Sequence, residues 1–531
     1  MDETSTWWQR GVIYHIYPRS FLDTNGDGIG DLSGIARGLS YLEWLGVNAL
    51  WISPIYPSPM ADFGYDITDH RAIAPCFGTL DDFDALLAEA HRRNLKVILD
   101  YVPNHTSARH PWFVASRSAR HDPHRDWYVW RDPAPGGGPP NNWRSVFGGS
   151  AWTWDQRTGQ YYYHAYLREQ PDLNWRHPAV QEAMLDVLSF WLDRGVDGFR
   201  VDALRQLVED GDLRDNPSNP DCDPQKGPYH ALLPVYTTDR PETLEMLAAM
   251  RRLIDRYPER LLIGELYLPI ERLVAYYGVD GTGAHLPTNF HLILVEWRAR
   301  RIAELIATYE AALPSGAWPN WVLGNHDQPR VAGRIGSGQA RVAAMMLLTL
   351  RGTPTLYYGE EIGMRDVAVP PAQIQDPWEK NVPGLGLGRD PERTPMQWDA
   401  QSNAGFTTGR PWLPLAADAE LVNVARQRDD PASILTLYRR LLSLRRERPA
   451  LAVGGYEAVE ASGDILAYAR GAGPGRCLIA LNLAGTPQRL AVPPEFRDGR
   501  VLLSTVPDDA AERATSGLEL RGDEGVVIAL P

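Results

Sequence analysis

The sequence predicts an α/β fold: a (β/α)8 TIM barrel with an inserted loop-rich subdomain and a C-terminal β-sandwich domain. Three observations predict it. Amphipathic helical stretches alternate with short apolar runs over most of the 531 residues, and short connections between them imply parallel strands joined by right-handed crossovers. Polar and ionisable residues recur where the apolar runs end, and a closed barrel gathers such strand ends on one face. No glycine-rich phosphate loop follows the first strand, which disfavours an open doubly wound sheet.

The first part of the barrel spans residues 1–103. Residues 12–16 form its opening strand, which runs into the loop Asp23-Thr24-Asn25-Gly26-Asp27-Gly28-Ile29-Gly30-Asp31. Oxygen-bearing side chains at alternate positions among glycines resemble a calcium loop, without the closing bidentate Glu of an EF-hand. A hard cation, calcium or magnesium, is one reading, and an Asn/Gly-rich turn without metal is the other. Leu39, Leu42 and Trp44 lead to Gly46 and a strand over 47–52, followed by the polar, aromatic loop Asp62-Phe63-Gly64-Tyr65-Asp66. Phe83, Leu86, Leu87 and Ala90 mark the buried face of a helix over 80–93, closed by Asn94. The next strand, 96–99, ends in Asp100, with Asn104-His105 just beyond.

Residues 104–175 form an inserted subdomain B. They carry Trp112, Trp127, Trp130, Trp143, Trp152 and Trp154 and a Gly136-Gly137-Gly138-Pro139-Pro140 run, and a connection of this length is a functional lid or a small subdomain. The barrel resumes over 176–454. Met184, Leu185, Leu188, Trp191 and Leu192 fall on one helical face, Gly195 offers a left-handed C-cap, and an apolar run too short for a helix follows. That run ends at Asp202, and Arg200, two residues earlier, shares its side of the strand. An insertion at about 209–240, rich in Asp, Asn and Pro, overhangs the same face. A helix over 244–256 gives way to a strand at 261–263 and then Gly264-Glu265. Strand 321–324 leads into Asn325-His326-Asp327, and a helix around 341–350 leads to strand 355–358 and Gly359-Glu360. Beyond a helix at 433–448, short strands at 465–468, 477–483, 501–504 and 526–530 mark an all-β domain over 455–531.

The formal net charge of −14 argues against a nucleic-acid partner, because phosphate binding needs clustered Lys and Arg. Cys76, Cys222 and Cys477 are far apart and odd in number, which suggests neither a disulfide framework nor a cysteine metal site and fits a cytoplasmic location. No stretch approaches the roughly 20 apolar residues of a membrane span, and the N-terminus lacks a basic-then-apolar leader. The expected partner is therefore a small molecule, with no nucleic acid and no membrane, bound by a monomer or homodimer. Many of the 18 Trp and 23 Tyr lie in loop-like segments, where flat faces suit sugar rings as well as loop packing.

Three acids at strand ends, Asp202, Glu265 and Asp327, fit one pocket. Glycoside hydrolysis needs a carboxylate nucleophile and a second carboxyl group as acid and then base, held roughly 5–5.5 Å apart in a retaining enzyme. Arg200 is placed to stabilise the anion of Asp202, and Glu265, after an apolar run, is expected to sit in the drier environment that keeps it protonated.

Four blocks, Asp100-Tyr101-Val102-Pro103-Asn104-His105, Gly198-Phe199-Arg200-Val201-Asp202, Gly264-Glu265 and Asn325-His326-Asp327, resemble those of glycoside hydrolase family 13, the α-amylase family, and stand in that family's order. Gln170-Pro171-Asp172-Leu173-Asn174 resembles a fifth block of its oligo-1,6-glucosidase and α-glucosidase branch, as do residues 14–31, 63–66 and Arg393-Thr394-Pro395-Met396-Gln397-Trp398. The resemblance implies that Asp202 is the nucleophile, Glu265 the general acid/base, and Asp327 the residue that grips sugar hydroxyls and steadies the transition state. It implies that His105, Arg200 and His326 line the same site, that Tyr65 stacks under the glucose ring, and that Asp62 with Arg393 holds the far hydroxyl. It also implies no organic cofactor and one structural Ca2+ or Mg2+, bound by Asp23, Asn25, Asp27, the Ile29 carbonyl and Asp31.

Ala203 follows the nucleophile. In the branch resembled, Val there accompanies α-1,6 preference, and Thr or Ala accompanies α-1,4 or sucrose-type substrates. The expected function is a retaining exo-α-glucosidase acting on, and transglycosylating from, short α-glucosides such as maltose. An isomerase or glucosyltransferase, such as a trehalose synthase or a sucrose-acting enzyme, shares the same intermediate. A non-catalytic accessory subunit would need a membrane anchor and usually lacks part of the acid triad, whereas this chain lacks the first and retains the second.

Overall fold

The computed structural model describes residues 5–473, 475–507 and 518–530. Eight parallel strands close into a barrel: β1 (Ile13–Ile16), β2 (Ala49–Ile52), β3 (Lys96–Tyr101), β4 (Gly198–Val201), β5 (Leu261–Gly264), β6 (Leu286–Asn289), β7 (Asn320–Val322) and β8 (Thr353–Tyr357). Closure is direct, with Ile13 of β1 opposite Thr355 of β8.

The strands read as apolar runs because both faces are buried. One side packs on the surrounding helices through Tyr14, Leu50, Val97, Leu99, Phe199 and Leu262. The other fills the barrel with Ile13, Ala49, Trp51, Ile98, Leu261, Ile263 and Leu286, and Trp7, Trp8 and Trp318 pack against that plug. Gly198 is required where β4 meets β5, since a Cβ there would lie 2.5 Å from the Leu261 carbonyl oxygen. The helix ends match their sequence signals. Asn94 and Gly195 both take positive φ, at 57° and 98°, and Ser433 caps helix Ile434–Glu447 through Thr436 N–H.

Strand β6 escapes the sequence reading. Its four residues, Leu-Pro-Thr-Asn, hold no apolar run, and Pro287 cannot donate to the ladder. Neighbours define it instead, with Ile263 paired to Leu286 on one side and Asn320 to Thr288 on the other.

Between β3 and β4 a three-stranded antiparallel sheet forms from Trp130–Arg131, Gln160–Tyr163 and Trp152–Asp155. Past helix Ile434–Glu447, a five-stranded antiparallel sheet runs in the order Tyr456–Val459, Ile465–Arg470, Cys477–Asn482, Gly525–Ala529, Arg500–Ser504. Leu466, Tyr468, Ile479, Leu481 and Val527 join the main core, and the alternate residues Ala467, Leu478, Ala480, Val526 and Ile528 pack with Leu490, Phe496 and Leu520 in a second layer. Among the described residues no helix is long and apolar enough to cross a membrane.

Candidate active site

The two-residue period of the strands decides what reaches the pocket. Ile98 and Asp100 on β3, Gly198, Arg200 and then Asp202 on β4, and Leu261, Ile263 and then Glu265 on β5 share the inward side. The lower residues belong to the apolar plug, and the upper ones form a polar floor above it. Arg200 is the hub of that floor. Its Nη1 donates to Asp100 Oδ1 at 2.8 Å and to Asp202 Oδ1 at 2.6 Å, and its Nη2 lies 2.6 Å from Glu265 Oε1. Past β4 the chain turns through Ala203, held at φ 48° in the left-handed region that non-glycine residues rarely adopt. The Ala203 N–H donates to Glu265 Oε2 at 2.8 Å, so both oxygens of Glu265 face donors.

The expectation of a drier Glu265 is not met. The Asp202 and Glu265 side chains are 12% and 11% exposed, so solvent access does not separate them. Burial pushes the Asp202 carboxyl well above the usual carboxylate range, with Arg200 opposing and Glu265 and Asp100 adding to the rise. Burial likewise pushes Asp100 up to about 6 against the pull of Arg200. One guanidinium serves three carboxylates here, and burial leaves Asp100 and Asp202 above the usual carboxylate range despite it.

A second cluster forms around Asp327, beyond β7. Asp327 Oδ1 accepts from Arg393 Nη2 at 2.7 Å and from Arg389 Nη1 at 3.1 Å. Burial opposes its charge, but His326, Arg389 and Arg393 hold its carboxyl well below the usual range. Arg389 Nη2 also reaches Asp62 Oδ1 at 2.7 Å, and Asp62 Oδ2 accepts from Gln170 Nε2 at 3.1 Å. The family resemblance pairs Asp62 with Arg393, whereas the structure gives that place to Arg389. Arg393 sits on the turn Pro391–Arg393, fully buried behind Asp327, with Nε donating to the His326 carbonyl at 2.6 Å.

Tyr65, His105 and His326 complete the floor. Tyr65 donates to Asp100 Oδ2 at 3.0 Å and stacks on His326, the ring centroids 5.4 Å apart. His105 Nε2 lies 3.1 Å from the Tyr65 carbonyl and 3.0 Å from Gln170 Nε2, and burial lowers its pKa to about 3, so the ring is neutral near pH 7. An inner cavity of about 60 Å3 is lined by Asp62, Tyr65, His105, His326 and the acids Asp202, Glu265 and Asp327. Past Phe147 and Tyr166 it meets a vestibule of about 280 Å3 walled by Arg205, Lys226, Tyr229, Tyr267 and Trp378. Of the predicted site residues, Arg200 and Arg393 stand behind this lining, 1% and 0% exposed.

The predicted cation loop is elsewhere and is held by the protein itself. Asp23 accepts from the N–H groups of Asn25, Gly26 and Gly28 and from the Thr407 hydroxyl; these bonds bring its carboxyl below the usual range despite partial burial. Asp31 caps helix Leu32–Leu45 through Gly34 N–H and accepts from Thr24. Asn25 and Asp27 each accept one N–H, from Asp27 and Ile29, and retain free lone pairs. Among the described residues no group of three or more His, Cys, Asp or Glu is arranged to hold a metal. The fit to a cation is therefore partial.

Sequence reasoning missed Arg389, Asp376, Phe147, Tyr166 and Trp378. The signal for Arg389 was present in the run Arg389-Asp390-Pro391-Glu392-Arg393, where two arginines compete for one role and only geometry separates them.

Residues 15–454 match the model of the alpha amylase catalytic domain. A probable alpha-glucosidase of Rhizobium meliloti (strain 1021) is 44% identical, over 91% of this chain and 90% of its own. An oligo-1,6-glucosidase of Parageobacillus thermoglucosidasius is 37% identical, over 95% and 96%. Among solved structures, an alpha-glucosyl transfer enzyme is similar with a TM-score of 0.93 and 41% identity, over 99% of this chain and 100% of that one. The chain belongs to the α-amylase family of glycoside hydrolases.

Proposed function

We propose that the protein is a retaining, exo-acting α-glucosidase that removes terminal glucosyl residues from short α-glucosides such as maltose. The observation that carries this reading is the sharing of Arg200 by Asp202 and Glu265 at the mouth of a small inner cavity, whose remaining wall of Asp62, Tyr65 and His105 suits one sugar ring. Asp202 attacks the anomeric carbon as the bond to the leaving oxygen breaks, and Glu265 passes its proton to that oxygen. Water, or another sugar hydroxyl, then gives a proton to Glu265 and attacks the same carbon, releasing Asp202 with configuration retained. The proton that Glu265 delivers has to be on it before the first step. Asp327, anionic between two guanidiniums, accepts hydrogen bonds from sugar hydroxyls, and Arg389 and Asp62 hold the far end of the ring. No organic cofactor enters this chemistry. Ala203, with its small side chain, supports the α-1,4 preference.

Transfer to a sugar acceptor is the second reading, favoured by the aromatic walls of the vestibule, where Phe147 and Trp378 lie 5.4 Å apart. Proton NMR of the protein with maltose, isomaltose and sucrose separates the two. Initial α-glucose with maltose disappearing fastest is the expected result, whereas new disaccharides in place of glucose move the function to transferase or isomerase.

A divalent cation at residues 23–31 would take Asn25, Asp27 and the Ile29 carbonyl and would stiffen the loop, with no step of the reaction passing through it. Chelation should then lower the unfolding midpoint and Ca2+ or Mg2+ restore it; an unchanged midpoint removes the ion from the account. The three unpaired cysteines suit a cytoplasmic monomer or homodimer.

A further inference from the structure

Arg389 lines both the inner cavity and the vestibule, and what aims it lies outside both. Asp376 is fully buried. Its Oδ1 accepts from Arg389 Nη2 at 2.7 Å, both its oxygens lie 3.2 Å from Nε, and its Oδ2 accepts the backbone N–H of Arg389 at 2.7 Å. The carboxylate thus occupies the Nε edge of the guanidinium, leaving Nη1 for Asp327 and Nη2 for Asp62. A planar fork held bidentately on one edge has a single orientation for the other.

The same residues staple a loop. Asp390 Oδ2 accepts from the N–H groups of Gln375 and Asp376, at 2.6 Å and 3.0 Å, while Asp376 holds Arg389 in return. The segment between them begins with helix Pro377–Asn381, whose Trp378 walls the vestibule against Phe147. Phe147 in turn lies under the Arg389 guanidinium, 4.8 Å away. Asp376 is therefore the joint between the vestibule wall and the far end of the sugar pocket.

We infer that Asp376 is a positioning residue for exo-action: it holds Arg389 in the one orientation that joins Asp62 to Asp327, and so fixes recognition of the terminal glucose. The inference rests on the α-glucosidase reading above. Asp376→Asn keeps volume and leaves Arg389 two carboxylates, so the fold is retained. With 4-nitrophenyl α-glucoside, KM should rise at least roughly tenfold while kcat falls less than about threefold, as for lost binding common to ground and transition states. The 3-, 4- and 6-deoxy analogues give a readout that a merely structural role would not move. Whichever deoxygenation harms the native enzyme most should harm the variant much less. Asp376→Glu, which keeps the charge, should recover part of the KM, and supplies the test if the Asn variant does not fold. An unchanged KM, a fall in kcat that matches the fall in kcat/KM, or an undiminished deoxy penalty would overturn the inference. Failure of the native protein to hydrolyse the parent glucoside would instead overturn the reading on which it rests.

Discussion

Two clusters of three acids meet at the pocket, and they differ in the number of guanidiniums they hold. Asp100, Asp202 and Glu265 share Arg200, whereas Asp62, Asp327 and Asp376 share Arg389 and Arg393. The first cluster is short of positive charge, and burial leaves Asp100 and Asp202 above the usual carboxylate range. In the second, Asp327 and Asp376 lie below the usual carboxylate range despite burial, while burial raises Asp62 against the pull of Arg389 and Arg393. The balance of guanidiniums thus separates Asp202, raised beside one, from Asp327, held anionic by two.

Removing charge from each cluster should have opposite effects on stability. Asp202→Asn should lower kcat by roughly 10,000-fold or more through loss of the nucleophile. Because its folded form already disfavours the anion, the unfolding midpoint at pH 8 should hold or rise. A variant that retains the native rate would end the nucleophile assignment, and one that unfolds at lower temperature would end the account of the first cluster. Asp327→Asn should reduce kcat/KM by a smaller factor, about 1,000-fold on the scale of one lost charge stabiliser. It also strips a carboxylate from two buried guanidiniums, at a cost of about 3 kcal/mol, so its midpoint should fall. Equal midpoints for the two variants would erase the distinction between the clusters.

The pH dependence sharpens the same contrast. Asp202 and Asp100 have raised pKa values in the folded state, so their contribution to stability is full below about pH 4 and is lost as pH rises, through about 6 for Asp100. Asp327, lowered, contributes above about pH 4, and that contribution fades only as pH falls below it. The acid limb of kcat/KM should therefore lie above the ordinary carboxylate range and report Asp202, with no step from Asp327. A limb near pH 4 would place the proton elsewhere.

Much of this site could be read from residue order. Arg200 and Asp202 two apart on one strand, and Glu265 and Asp327 just past strand ends, follow from period-two geometry and from barrel closure. Strand β6 could not be read, because Leu286–Asn289 is defined by its neighbours rather than by its own pattern. Nor could the choice between Arg389 and Arg393, four residues apart in an irregular loop, where no periodicity tells which side chain turns to the cavity. The dryness of Glu265 was misread for a related reason: the apolar run before it faces the barrel plug, not the carboxyl, which is as exposed as that of Asp202.

Glu360 is the limiting case, a buried acid with no guanidinium bonded to it among the described residues. Its Oε2 accepts from Tyr357 N–H at 2.7 Å, while its Oε1 is buried and has no partner among the described residues. Burial pushes its carboxyl up to about 8, the Tyr357 N–H and Arg334 opposing. A raised acid stabilises the folded state fully below its unfolded pKa of about 4.3, and that contribution is lost as pH rises through about 8. Glu360→Gln, which cannot ionise, should match the native protein at pH 5 and unfold a few degrees higher at pH 9, the smallest effect of the series. Parallel midpoint curves for the two proteins across that range would show that Glu360 is compensated in the fold. The number of guanidiniums would then not be what sets the protonation of its buried acids.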